Sequence, residues 1–219
     1  DGEIDIEEIS SAVKENTALV SMLYVNNEVG TISDVETASS ICKKNNIALH
    51  ADLTQALGKI KIDVKKMGID YASCSAHKIY GPKGIGAAFM KSDAYGIAPI
   101  TAFMHGGEQE FGFRAGTHAV HNIVGFGKAA EIALRDLKKN DEYIKHLDDM
   151  LIGGIRTIDG IHTTVDSSKR IPGIVSLVVE KSDFHNERFL KKISDEVALS
   201  TGSACSAGEP SYVIQALGL

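Results

Sequence analysis

Lys78 closes the run Ser73-Cys74-Ser75-Ala76-His77-Lys78, and the glycine- and proline-rich Gly81-Pro82-Lys83-Gly84-Ile85-Gly86 follows almost at once. Strand alternation through the run puts Ala72, Cys74 and Ala76 on one side and Ser73, Ser75 and His77 on the other. Lys78 then falls where the strand stops, the edge at which α/β sheets hold ligands. A lysine there is either an ordinary surface charge or an attachment point for a carbonyl cofactor, which needs further groups to hold it. Asp52 ends the apolar stretch Ile47-Ala48-Leu49-His50-Ala51-Asp52, and Gln55 follows about one turn along. Asp52 is either the cap of a following helix or the partner of a cationic ring nitrogen, kept protonated by a charge-assisted hydrogen bond. Asn27 lies in the polar loop Asn26-Asn27-Glu28-Val29-Gly30-Thr31, which taken alone reads as a turn. Cys205 sits among Gly202, Ser203, Ser206, Ala207 and Gly208, a polar setting in which a thiol serves as a nucleophile. Cys42 and Cys74 fall on apolar faces and read as small core residues. His50 and His77 have no third ligand at metal spacing, so zinc is not expected. The glycine loop matches neither the phosphate-loop nor the dinucleotide fingerprint.

The elements needed to position these residues are legible in the hydrophobic periodicity. Ile6, Ile9 and Val13 mark an amphipathic helix over 5–15. Ala18 to Val25 reads as a strand covered on both faces. A second helix over 34–46 turns Val35, Ala38, Ile41 and Cys42 inward, and strands follow at 47–52, 72–77 and 85–90. A short helix around Val64 and Met67 precedes the strand at 72–77. Strand, helix, strand, helix, strand predicts an α/β fold with a mostly parallel sheet, right-handed crossovers and flanking helices. Asn27, Asp52, Gln55 and Ser75 to Lys78 all fall at carboxyl ends of its strands. A long helical region over 120–158 carries an inward stripe of Ile123, Phe126, Ala130 and Ala133, and the charges from Arg135 to Asp149 read as a solvated face. Strands at 173–180 and 197–200 and a helix over 183–193 make a smaller second domain, with the boundary near residue 134.

The chain has 219 residues, 43% of them hydrophobic and 24% charged, the profile of a globular protein rather than a disordered one. The net charge is −6 and the basic residues come as scattered pairs, which argues against direct nucleic-acid binding. The longest apolar runs are too short to cross a bilayer. Three cysteines without a Cys-x-x-Cys pair argue against a disulfide framework and a zinc site, so a reducing cytoplasm is expected. Asp1-Gly2 at the start and the apolar Gln215-Ala216-Leu217-Gly218-Leu219 at the end suggest a partial chain lacking both ends.

Taken together, the motifs resemble those of the cysteine desulfurases, pyridoxal-phosphate enzymes of the class V aminotransferase group and of fold-type I. The resemblance rests on Asn26 to Gly30, His50 to Gln55, Ser75 to Gly84, Gly106-Gly107-Glu108-Gln109-Glu110 and Arg114-Ala115-Gly116-Thr117. It continues through Ser200-Thr201-Gly202-Ser203-Ala204-Cys205 and Glu209-Pro210-Ser211-Tyr212, so it spans nearly the whole chain in the family's order. The Gly-Ser-Ala-Cys form is similar to the branch that serves iron–sulfur and general sulfur delivery. The resemblance implies a partial pyridoxal-phosphate-binding large domain over 1–134 and a partial small domain carrying the cysteine loop over 135–219. It implies that Lys78 attaches pyridoxal 5'-phosphate and shuttles the substrate's Cα proton, while Asp52 pairs with the pyridine nitrogen. Gln55 would bond the phenolic oxygen, with Asn27 near that oxygen or the substrate carboxylate, and Ser75 and His77 would hold the phosphate. Thr117 would reach the phosphate of a neighbouring subunit, implying a homodimer. Cys205 would take sulfur from L-cysteine as a persulfide, leave alanine, and pass the sulfur to an acceptor or iron–sulfur scaffold protein.

Two departures stand out: Phe111 occupies a position where the family usually has arginine, and the loop after Cys205 is short. The family's longer front and rear normally supply a stacking histidine and an arginine for the substrate carboxylate. Two other readings use the same residues differently. One is another pyridoxal-phosphate enzyme of the class, an aminotransferase or selenocysteine lyase, working without a persulfide. The other is an inactive fragment acting as a dimerisation or scaffold-binding module.

Overall fold

A computed structural model describes residues 2–200 and 211–219. Cys205 therefore lies outside the described residues. The chain divides into two compact units, one of residues 5–24 and 34–139, the other of 1–4, 25–33 and 140–219.

The first unit is built on a four-stranded sheet in the order β1 (Leu19–Leu23), β2 (Ala48–Asp52), β3 (Tyr71–Ser75), β4 (Gly86–Met90). The first three strands run parallel, with Leu23 opposite Asp52 and Asp52 opposite Ser73. β4 returns antiparallel, pairing Ser75 with Gly86. The link from β3 to β4 is too short for the crossover that a parallel neighbour requires, so a mostly parallel sheet acquires one antiparallel strand. α1 (Ile6–Ala12) and α2 (Val35–Lys44) cover one face. Asp34 caps α2 by accepting from the Thr37 N–H at 2.9 Å. At the other end Asn46 turns left-handed, and the Ile47 N–H reaches back to the Cys42 carbonyl, ending the helix and aiming the chain into β2. Met22, Leu49, Ala51 and Ala72 from the strands meet Val35, Ala38 and Cys42 from α2 in the core.

Alternation assigns the opposite face. Ser21, His50, Asp52, Ser73 and Ser75 share it, since the core-facing residues between them are Val20, Met22, Leu49, Ala51, Ala72 and Cys74. β1 lies at the edge of the sheet, so the covering expected on both of its faces is incomplete and Leu19 stays 49% exposed. The chain from β2 to β3 forms turns at 54–59 and 64–68 instead of the expected helix, although Met67 still enters the core.

α3 (Val120–Ile155) spans 36 residues, and the division between the units falls within it. Ala129 is buried and Phe126, Ala130 and Ala133 are half-buried, but Ile123, expected in the inward stripe, is exposed. The second unit holds a two-stranded antiparallel sheet of β5 (Ile161–Thr163) and β6 (Leu177–Val179), with α4 (Asn186–Ile193) and α5 (Tyr212–Ala216). β5 has only three residues, too few to show a period in the sequence. The strand expected at 197–200 does not form among the described residues; those positions carry no regular secondary structure.

The second unit also departs from the solvated reading of residues 135–149. Asp148 is buried there and takes both ends of the Arg170 guanidinium, at 2.9 and 2.7 Å. Arg170 donates as well to the Ile171 and Ile174 carbonyls, and the Gly173 N–H donates to Asp148. The segment held in this way pairs with residues 30–32, since Ile171 N–H donates to the Gly30 carbonyl and Ile32 N–H to the Lys169 carbonyl. Gly30 is left-handed there (φ 79°), and a Cβ would lie about 3.0 Å from Ile174, so both the conformation and the space call for glycine.

Candidate active site

The polar edge of the first unit begins at Asp52, the last residue of β2, which is half-buried. Its Oδ1 accepts from the Thr54 N–H at 2.8 Å, fastening the turn that follows. The capping reading of Asp52 thus holds for one oxygen, while Oδ2 accepts no hydrogen bond among the described residues. Three residues on, Gln55 is half-buried and its Oε1 accepts from the Lys59 ammonium at 2.6 Å. Burial pushes the Lys59 ammonium below the usual lysine range, and the positive charge of Lys78 pushes it further the same way. Gly58 lies between Gln55 and Lys59 on this path, left-handed, with the space of its missing Cβ 2.8 Å from Ile79.

Ile79 ends the single 3-10 turn Ala76–Ile79 that carries His77 and Lys78. The strand stops at Ser75, earlier than alternation implied, so His77 does not share a strand face with Ser75. The break has a local cause. Ala76 and Ile79 bury their side chains, the Gly81 N–H reaches back to the Ala76 carbonyl, and Tyr80 turns left-handed at φ 63°. His77 and Lys78 are thereby pushed outward, both exposed, next to half-buried Ser75. The Lys78 amine makes no hydrogen bond or ion pair among the described residues. Asp52 and Ser75 thus end β2 and β3, and Gln55, His77 and Lys78 lie on the two short turns that follow, which pack together through Gly58 and Ile79.

Thr117 is exposed in the connection ahead of α3, and no hydrogen bond joins it to that group. This connection is organised by the Gly116 N–H donating to Gln109 and by a Glu110–His118 contact of 2.8 Å. Glu110 and Phe111 are both left-handed, and Phe111 is 98% exposed. Asn27 belongs to the second unit, where it is exposed in its loop. Its neighbour Asn26 holds that loop, its Oδ1 accepting from the Glu28 and Val29 N–H groups.

The structure adds partners that the sequence did not reveal. His50 is held between two serine hydroxyls, Ser21 Oγ at 2.8 Å and Ser73 Oγ at 3.1 Å, a polar row across β1, β2 and β3 just inside Asp52. Strand alternation carried the signal for that row; the register that aligns its members did not. Cys74 and Cys42 pack against the core as expected, and burial pushes both thiols up; for Cys74 a contact with the Ala87 carbonyl opposes this and the Asp52 charge adds to it, while for Cys42 the Asp70 charge adds to it.

The donor set fits pyridoxal phosphate chemically: a carboxylate with one unbonded oxygen for a ring N–H, an amide for an oxygen substituent, hydroxyl and imidazole for a phosphate, and an unpartnered amine for an aldehyde. The profile of the class-V aminotransferases matches residues 1–218. The chain belongs to the class-V aminotransferase family. A cysteine desulfurase IscS of Ruthia magnifica subsp. Calyptogena magnifica is 41% identical over 220 residues, covering all of this chain and 53% of that protein. The mitochondrial cysteine desulfurase of Arabidopsis thaliana is likewise 41% identical, covering all of this chain and 48% of that one. The chain thus spans about half the length of the curated relatives it matches. Among solved structures, a NifS-like protein superposes with a TM-score of 0.86 at 34% identity, over 99% of this chain and 56% of that one. SspA in complex with cysteine superposes at 0.78 with 31% identity, over all of this chain and 59% of that one. This class-V chain therefore has the fold that its sequence motifs implied, with the polar edge of its larger sheet as the candidate site. No helix among its described residues is long and apolar enough to cross a membrane.

Proposed function

We propose that this class-V chain is the part of a pyridoxal-phosphate-dependent cysteine desulfurase that binds the cofactor and carries the sulfur-accepting cysteine. The observation that carries the reading is the Lys78 amine, without a partner among the described residues, on the 3-10 turn after β3 and at the same sheet edge as Asp52. Asp52 would hold the pyridine nitrogen, Gln55 and Asn27 the phenolic oxygen or substrate carboxylate, and Ser75, His77 and a second subunit's Thr117 the phosphate. When bound, the cofactor supplies an electron sink for charge developing at the substrate's Cα. Lys78 takes the Cα proton and returns a proton to the carbon skeleton. Cys205, as thiolate, attacks the sulfur of the bound L-cysteine. The Cβ–S bond breaks with its electron pair on the carbon fragment, which gains a proton and leaves as alanine; Cys205 keeps the sulfur as a persulfide. The similarity to proteins named cysteine desulfurase, and to a protein solved with cysteine, supports L-cysteine as substrate.

The same reading includes a cofactor-binding domain over 1–134 and a smaller domain over 135–219, a homodimer, and a sulfur acceptor or iron–sulfur scaffold protein in a cytoplasmic setting. Incubation of the full-length protein with L-cysteine, followed by alanine assay and peptide mapping, tests it. The expected result is stoichiometric alanine with a persulfide on the Cys205 peptide, both lost in Cys205→Ala. Alanine release that survives Cys205→Ala would instead place the protein among class-V enzymes that work without a persulfide.

A further inference from the structure

Lys59 is a second cation at the candidate site, and its surroundings set it apart from a surface lysine. It is half-buried, yet no carboxylate pairs with it among the described residues; its ammonium donates instead to Gln55 Oε1 at 2.6 Å. A half-buried charge placed for stability would be paired with an opposite one. The choice of partner has a consequence for Gln55. An ammonium offers three donors and no acceptor, so it can only face the amide oxygen, and the Gln55 NH2 group is turned away from it and donates to no acceptor among the described residues.

The position of Lys59 is itself fixed. Its N–H donates to the Ala56 carbonyl at 3.0 Å, and the preceding Gly58 is left-handed where a Cβ would come 2.8 Å from Ile79 and 3.0 Å from Ala133. The turn that holds the Lys59–Gln55 pair is therefore seated on the 3-10 turn that carries Lys78. We propose that Lys59 is a positioning residue of the cofactor site, locking the Gln55 amide so that its NH2 is presented to the phenolic oxygen of pyridoxal phosphate. The inference rests on the proposed assignment of Gln55 and Lys78 to that cofactor.

The test compares full-length wild type, Lys59→Met, Lys59→Arg, Gln55→Ala and the double variant Lys59→Met/Gln55→Ala. The readouts are the dissociation constant of pyridoxal phosphate from the apoprotein, the visible absorption spectrum of the bound cofactor at one pH, and the melting temperature of each apoprotein. Lys59→Met should weaken cofactor binding by roughly tenfold, as expected for losing one hydrogen bond to a charged group. It should shift the visible band in the same direction as Gln55→Ala, with the apoprotein melting as wild type. Lys59→Arg, which keeps donors and no acceptor, should restore both, and the double variant should be no worse than Gln55→Ala. If Lys59→Met does not fold, Lys59→Gln replaces it, because its amide accepts as well as donates and no longer dictates the orientation of Gln55. Lys59→Met (or Lys59→Gln in its place) with wild-type affinity and spectrum beside an altered Gln55→Ala overturns the inference, as do fully additive losses in the double variant. Wild-type protein that takes up no cofactor overturns the proposed function itself, a result distinct from either.

Discussion

Lys78 and Asp52 stand in different surroundings, which suit the two roles proposed for them. Lys78 is exposed, its amine without a partner among the described residues, whereas Asp52 is half-buried at a strand end with one oxygen already fixed by the Thr54 N–H. Lys78→Ala in the full-length protein should abolish borohydride-fixable visible absorption and lower alanine release by about 10²–10⁴-fold, the range for losing a positioned proton-transfer group. Undiminished turnover would remove Lys78 from the chemistry. Asp52→Ala should keep the cofactor attached to Lys78 but lower kcat by about 10²–10³-fold, as removal of a preorganised electrostatic partner does; the spectrum and steady-state rates check this together. Asp52 was readable from sequence because it ends a recognisable apolar run, and Lys78 because it follows a run of strand-like alternation and precedes a glycine-rich turn. Lys59 was not, because its distinguishing feature is a side-chain contact with Gln55 and the nearby charge of Lys78.

Among the elements, the segment 169–174 illustrates what periodicity misses. The run from Arg135 to Asp149 reads as solvated because most of it is, yet Asp148 and Arg170 are 6% and 1% exposed and paired through two bonds. Asp148→Ala leaves the guanidinium buried without its partner and should destabilise the protein by about 3–5 kcal/mol, measured by urea unfolding. Burial pushes the Asp148 carboxyl up, but the Arg170 and Gly173 donors and the Arg170 charge outweigh it and hold it below the usual aspartate range. A depressed native value means the stabilisation is fully present above the unfolded value of about 3.9 and is lost as pH falls through the lower native one. The stability gap between wild type and Asp148→Asn should therefore be constant near neutrality and shrink on acidification below about pH 4; a gap that widens there contradicts the pairing. The turn at Gly58 gives a second check. Gly58→Ala should destabilise by more than about 1 kcal/mol, since both the left-handed backbone and Ile79 oppose a Cβ.

On the scale of the whole molecule, large apolar side chains between β4 and α3 remain in solvent: Tyr95, Phe103 and Phe111 are 88%, 94% and 98% exposed. Exposure of this kind is characteristic of surfaces that another protein covers, and it accompanies Thr117 in the same connection. The proposed homodimer predicts a single sedimenting species of twice the monomer mass for the full-length protein, with Phe103→Asp shifting it toward monomer. A monomer at all concentrations for wild type would remove the subunit-sharing role given to Thr117.

The sequence by itself determined the α/β class, the carboxyl-end location of the polar residues and the family, because apolar runs, turn chemistry and motif order are written locally along the chain. Lys78 was visible in that way from the start. Only the tertiary structure decided that β4 runs antiparallel, that His77 leaves the strand on a 3-10 turn, that Ser21 and Ser73 hold His50, and that Asp148 turns inward to Arg170. Each of these depends on which distant backbone or side chain comes within hydrogen-bond or packing distance, and such contacts leave no period in the sequence.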